Sequence, residues 1–379
     1  MKAGIFAALL ALLAFGAGCS KTNNNSVYVL GQGTNDVFGF KQNASGALQP
    51  FTGTPLSATG SVPVAVLIHP SRQFAYIANF SDGTITVLIR NVGNGELSVP
   101  PLPPNTINTP PPIIAGTNPV SMALTADGRF VYVLNQGSND ISAFTVDVGN
   151  DTLDHIANPA KDPITNTPLA TFPTAANPIF MVVSPDSKSL YVASVDNLAN
   201  PTVGSISGFS INSDGTLTAL QSPAVTAGVN PTFLAIEPRA KFLYASDHAS
   251  NSILAFSIQA GGALSPVSGS PFPAGTNPSG LAINTSGTFL LAANQGSNNI
   301  SGFTISGTGA LSAVAGSPFT AGVNPVFVAF DRANNFVYVA DQGSNDIGAF
   351  ALINGTQLRS LVGAPFAIGT SPSWIATTP

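Results

Sequence analysis

Three histidines, His69, His155 and His248, and one local acid–cation group, Glu237-Pro238-Arg239, are the side chains of this chain best equipped for proton transfer. An acid, a base and a cation brought within hydrogen-bond reach of one point are the equipment of general acid–base hydrolysis. No motif gathers them locally. The chain has no Gly-x-Ser-x-Gly, no His-Glu-x-x-His and no phosphate-binding loop. Its one cysteine, Cys19, rules out an intramolecular disulfide and any Cys-x-x-Cys metal site. The Asx-rich loops lack the Asp-x-Asp-x-Asp-Gly spacing of a calcium site. No cofactor and no metal is expected.

The elements that must position these groups are set by seven prolines, Pro63, Pro119, Pro178, Pro231, Pro278, Pro325 and Pro372. The last four lie 47 residues apart, and the earlier intervals are 56, 59 and 53. A repeat of about 40–50 residues made of short strands and turns is the signature of a propeller blade. After each proline comes an apolar strand A, such as Val120-Ser121-Met122-Ala123-Leu124. A turn such as Ala126-Asp127-Gly128-Arg129 follows, then strand B, as in Phe130-Val131-Tyr132-Val133. Strand C reads β-branched, small, small, aromatic, as in Ile141-Ser142-Ala143-Phe144, and strand D follows a Gly-x-Leu turn such as Gly262-Ala263-Leu264.

Six complete units start at Pro63, Pro119, Pro178, Pro231, Pro278 and Pro325. Val27 to Leu56 supplies strands B, C and D alone, and Pro372 to Ala376 a lone strand A. Joined, these make a further blade that latches the ring with both termini and removes free sheet edges. We number this joined blade 1 and the Pro63 blade 2. The expectation is an all-β, seven-bladed propeller of four-stranded antiparallel blades over residues 27–379. All six tyrosines, Tyr28, Tyr76, Tyr132, Tyr191, Tyr244 and Tyr338, share one register of strand B, which predicts packing between blades. Three segments depart from the repeat: the Pro-rich 99–114, an outer insert over 154–167 that takes in His155, and a long B–C loop over 196–203.

In such a meander the D–A connections and B–C loops share one rim, and the A–B and C–D turns the other. The first rim gathers a repeated polar sequence, for example Asn135-Gln136-Gly137-Ser138-Asn139-Asp140. Its ligand candidates are Asn79, Asn135, Gln136, Asp247, His248, Asn294, Gln295, Asp341 and Gln342. A ring of amides and hydroxyls suits a neutral polar ligand; the same residue types are also what hairpin turns use. His69, Glu237 and Arg239 fall on the A–B rim and His248 on the opposite one. A five-residue strand separates the rims by about 16 Å, so these four do not meet within one blade.

Composition narrows the partners. Charged residues make up 8% of the chain and the net charge is −5. Scattered Lys and Arg, 12 in all, do not form the patch nucleic acid requires. Met1-Lys2, an uncharged run from Ala3 to Phe15 and then Gly16-Ala17-Gly18-Cys19 read as a secretory signal over 1–18. A cysteine after Ala-Gly resembles the lipobox of bacterial lipoproteins, which implies cleavage before Cys19 and its lipidation. Residues 19–26 then form a polar tether, and the expected location is the bacterial cell envelope, with Ser20 favouring the outer membrane. A monomer is expected.

The repeat Asn-Pro-x-x-apolar-Ala … Gly-Arg-Phe-Val-Tyr-Val … Ser-Asn-Asp-Ile-x-x-Phe, clearest over 118–144 and 324–350, resembles the seven-bladed β-propeller lactonases (6-phosphogluconolactonase-like) and the related YVTN-repeat propellers. The resemblance covers nearly the whole chain after Val27. It implies the fold and a lactone site of His, Arg and Glu. His69-Pro70 is similar to that family's His-Pro after strand A, whereas the same step elsewhere reads Thr125-Ala126 or Ser184-Pro185. The leading expectation is a non-enzymatic envelope propeller that binds a protein, peptide or glycan on its polar rim. The alternative is a lactone hydrolase acting through His69 or His248 with Glu237 and Arg239, and a purely structural surface protein is a third reading. Clustered cations for a phosphorylated sugar are missing.

Overall fold

The structure, a computed structural model, describes residues 25–57, 60–100, 113–149, 152–161, 168–169 and 171–378. The signal segment, Cys19 and most of the Pro-rich stretch lie outside these residues. Seven antiparallel sheets form the blades of one ring. Blade 1 pairs strand A, Pro372–Thr377, with Ser26–Gly31, Asp36–Gln42 and Leu48–Pro50, so the two ends of the chain close the ring as expected. Strands A of blades 2 to 7 begin at Pro63, Pro119, Pro178, Pro231, Pro278 and Pro325.

Each strand A begins with its proline because that residue sits where pairing to strand B shifts register by one, as between Pro325 and Phe327. The missing N–H therefore costs no ladder bond. In every blade but blade 5, where Asn230 is not left-handed, the residue before it turns left-handed, with φ of 52° at Asn118, 51° at Asn177, 52° at Asn277 and 58° at Asn324. Asparagine tolerates that region better than other side chains with a Cβ, which explains the Asn-Pro repeat. Val62 occupies the same position in blade 2 at φ 57°.

Strand B is buried at every position in most blades. In blades 3, 5 and 7 its tyrosine lies between alanines on the flanking strands, as Tyr132 between Ala123 and Ala143 and Tyr338 between Ala329 and Ala349. The small residues of strand C thus make room for a ring that leans into the next blade. The hydroxyl donates to a carbonyl in the next blade's C–D turn in blades 3, 4 and 5: Tyr132 to Gly215 at 2.9 Å, Tyr191 to Gly262 at 2.8 Å and Tyr244 to Gly309 at 3.0 Å. Blade 6 has Leu291 at this register and so no hydroxyl to donate.

Two outer details differ from the sequence expectation. Strand D comes in two pieces: in blade 5, Leu264–Pro266 and Phe272–Pro273 both pair with strand C, flanking a bulged turn. In blade 3, Thr152–Ile156 is strand D itself, with His155 opposite Phe144, so the insert begins after Ile156 and not at Asp154. The long loop of blade 4 lies where expected, between Val195 and Gly204. Its Asp196 accepts the amides of Asn197, Thr202 and Val203 and the Thr202 hydroxyl. Those bonds, led by the hydroxyl's, hold the carboxyl well below the usual range.

Candidate functional site

The rim formed by D–A connections and B–C loops has two layers, and adjacent residues fall in different ones. Asn79, Asn135, Asp247, Asn294 and Asp341 end strand B and are at most 1% exposed. Asn135 Nδ2 donates to Asp140 and Ser142, and Asn294 Nδ2 to Asn299 and Ser301. Asp247 accepts the backbone N–H groups of Val229 and Asn230 in the D–A connection above it. These side chains anchor loops from beneath and present nothing to a ligand. Gln136, His248, Gln295 and Gln342 come one residue later and are half-buried. Their backbone N–H groups donate to the asparagine before each proline, as in Gln136 to Asn118 and His248 to Asn230.

The Ser-Asn-Asp part of the loop is a clasp between blades. Asn139, Asn251, Asn298 and Asn345 are left-handed, and each side-chain carbonyl accepts the N–H of the residue before the next blade's proline at 2.7–2.8 Å. Turn chemistry therefore explains most of the repetition.

His248 is the imidazole of this rim. Asn277 Nδ2 donates to the His248 carbonyl at 3.0 Å and lies 3.3 Å from Nδ1, while Nε2 lies 3.0 Å from Gln295 Oε1. An amide donor at Nδ1 and a carbonyl acceptor at Nε2 assign the Nε2–H tautomer. The neighbours that orient the ring are amides, not carboxylates.

On the opposite rim, strand A ends in one buried polar residue per blade that caps the A–B turn. Glu237, 3% exposed, accepts the amides of Arg239 at 2.9 Å and Lys241 at 2.7 Å. Asp331 does the same for Asn335 and Phe336, and Asn284 for Thr288 and Phe289. His69, 5% exposed, accepts the Ser71 amide at Nδ1 and places Nε2 2.9 Å from the Gly128 carbonyl of blade 3. Arg239 is exposed to solvent. Thus His69, Glu237, Arg239 and His248 are not assembled: two are turn caps, one faces solvent, and His248 is on the other rim. His155 packs edge-on to Phe144 at 5.2 Å, and burial lowers its pKa.

The channel between the rims holds a feature that sequence reasoning missed. Phe180, Phe233, Phe327 and Trp374 each lie two residues after their proline and meet on the ring axis. Ring centroids are 4.0 Å apart for Phe180–Phe233, 4.7 Å for Phe327–Trp374 and 5.5 Å for Phe233–Phe327. Gly280 holds this register in blade 6, where a Cβ would come within 2.8 Å of the blade 7 backbone. The four aromatics plug the axis just below the polar rim. The signal was present in the sequence as a fixed offset from the prolines.

Blade 7 alone faces an acid at the end of strand B, Asp341, with an acid at the start of strand C, Asp346, where blades 2, 3 and 6 end strand B in asparagine. Burial first, and the Asp346 carboxylate second, push Asp341 up to about 7; the facing amides of Gly322 and Gly348 offset part of the rise. Asp346 is itself raised by burial. Among the described residues no cluster of three or more His, Cys, Asp or Glu is suited to a metal ion.

Blade number and strand order define a seven-bladed β-propeller. The sequence matches the family described as Lactonase, 7-bladed beta-propeller over residues 20–164, 157–269, 223–330 and 265–376, and the chain belongs to that family. The fold resembles a proposed 6-phosphogluconolactonase from Bacteroides fragilis at a TM-score of 0.74 and 17% identity, covering 95% of this chain and 99% of that one. A proposed 6-phosphogluconolactonase from Bacteroides uniformis gives 0.72 and 19%, covering 93% and 99%. The periplasmic gluconolactonase of Pseudomonas aeruginosa gives 0.70 and 18%, covering 94% and 99%. No curated protein matches the sequence.

Proposed function

We propose that this chain is a lactone hydrolase of the envelope, held at a membrane by a lipid on Cys19 and acting on an uncharged lactone at the D–A/B–C rim. The observation that carries the reading is the family match along almost the whole chain. The periplasmic gluconolactonase among its structural neighbours supports an exported, unphosphorylated substrate. Charge supports it too. Outside the blade 3 insert, the D–A and B–C connections and the strand ends that border them present Asp82 and Asp196 exposed and Asp140 and Asp346 half-buried, and the connections contain no Lys or Arg. A phosphoryl group would meet acids there and no cation to pair with.

His248 is the residue on which the chemistry turns. A lactone over the aromatic plug would find the His248 ring and the amides of Gln136, Gln295 and Gln342 beside it. Release of Nδ1 from Asn277 frees a lone pair for a water. Hydrolysis of sugar lactones by the wild-type chain and by His248→Ala tests the reading.

The second reading, a non-enzymatic binder of a protein, peptide or glycan, draws on one specific observation. Both ring nitrogens of His248 face amides, so the orienting acid of a catalytic dyad has no counterpart in its hydrogen bonds. A buffer-level rate on every lactone would favour this reading.

A further inference from the structure

The charges of this propeller are sorted by face, and the chain enters the fold on one of them. Arg72, Arg129, Lys188, Arg239, Lys241 and Arg332 all lie on A–B turns, and all but the half-buried Arg72 are exposed. Asp127, Asp186 and Asp214 share that face, with Glu96 and Asp147 half-buried at its C–D turns and Asp127 at 3.9 Å from Arg129, so the face is mixed in sign. Glu237 and Asp331 also belong to it, buried as turn caps. The opposite rim carries Asp82 and Asp196 exposed and Asp140 and Asp346 half-buried, with no cation in its connections outside the blade 3 insert.

The entry point is on the mixed face. Strand B of blade 1 starts there: the N–H of Ser26 donates to Thr378 Oγ1, just past the end of strand A, and the Asn25 carbonyl accepts the Gln42 amide at the end of strand C. Asn25 lies six positions after Cys19. At full extension that stretch spans about 20 Å, an upper bound that lets this face come within a Debye length, about 8 Å at physiological salt, of the headgroups.

We propose that the A–B turn face docks against a bilayer containing anionic lipid, with the D–A/B–C rim and its acids turned away from the membrane. The inference rests on the lipid anchor of the preceding section. Each Lys or Arg brought to an anionic surface contributes about 1 kcal/mol, whereas the exposed aspartates of the opposite rim, Asp82 and Asp196, are repelled. The orientation also leaves the candidate site open to the surrounding compartment.

Single thiols on the two faces test it in membranes carrying the full chain. Ala333→Cys places one in the A–B turn of blade 7, and Ser81→Cys places one in the B–C loop of blade 2; both positions are exposed. With Cys19 acylated, the introduced thiol is the free one, and its labelling by a bulky maleimide reports access. The expected result is labelling several-fold slower at Ala333→Cys than at Ser81→Cys in membranes, equal rates in detergent, and relief of the difference by combined Lys188→Glu, Arg239→Glu and Lys241→Glu. Equal or reversed rates in a membrane-held chain overturn the orientation and leave the anchor standing. Recovery of the chain in the soluble fraction, with Cys19 itself labelled, overturns both.

Discussion

Tyr338 Oη of blade 7 donates a 2.8 Å hydrogen bond to the carbonyl of Gly46 in blade 1. The bond spans the seam where the last complete blade meets the blade built from both termini. It repeats at this seam the clasp that links blades 3, 4 and 5 to their successors. Closure therefore uses the same device as every other clasped junction, although its partners are 292 residues apart.

Tyr338→Phe keeps the packed ring and removes the donor, leaving a buried carbonyl unpaired. The expected loss is about 1–2 kcal/mol, read as a lower midpoint in urea unfolding with an unchanged slope. An unchanged midpoint would mean that the seam is held by packing alone.

The Asp341–Asp346 pair gives stability a pH dependence of definite sign. The folded pKa of Asp341, about 7, is above its unfolded value of 3.8. Its favourable contribution is fully present below pH 3.8 and is lost as pH rises through about 7. Asp341→Asn supplies the amide that Asn135 and Asn294 use at the same register. Denaturation across pH 4–8 should show a flatter profile for the variant and a gain of about 2 kcal/mol or more at pH 8. A variant no more stable than wild type at pH 8 would contradict the buried-acid account.

Val62 holds a β-branched side chain at φ 57°, where the other blades place asparagine or serine. Val62→Asn should stabilise the protein by about 1 kcal/mol, detected as a rise in the thermal midpoint.

Glu237 looks reactive in the sequence beside Arg239, but both its oxygens hold its own turn. Glu237→Ala leaves the part-buried amides of Arg239 and Lys241 without their acceptor and should cost about 1–2 kcal/mol. If the folded variant lost turnover in proportion to an active-site residue instead, the turn-cap role would be wrong.

These cases show what was legible in the chain and why. The blades were legible because Pro63 through Pro372 and the six tyrosines mark a fixed register, and a repeated environment selects repeated residues. The site was not, because Asn135 and Gln136 are neighbours in a loop of one composition, yet one is buried and the other faces the rim. That difference is set by the D–A connection folded above Asn135, which sequence order does not reveal. The axial plug was readable as aromatic residues two places after Pro178, Pro231, Pro325 and Pro372, but only once those places are known to converge.

The direct test of the central claim is hydrolysis of a panel of uncharged sugar lactones by the full chain, followed by acid release. Wild type and Tyr338→Phe should turn over at least one lactone above the buffer rate, and His248→Ala should remove that turnover while remaining folded. Rates equal to buffer for every lactone, or full activity in His248→Ala, would contradict a hydrolase acting at this rim.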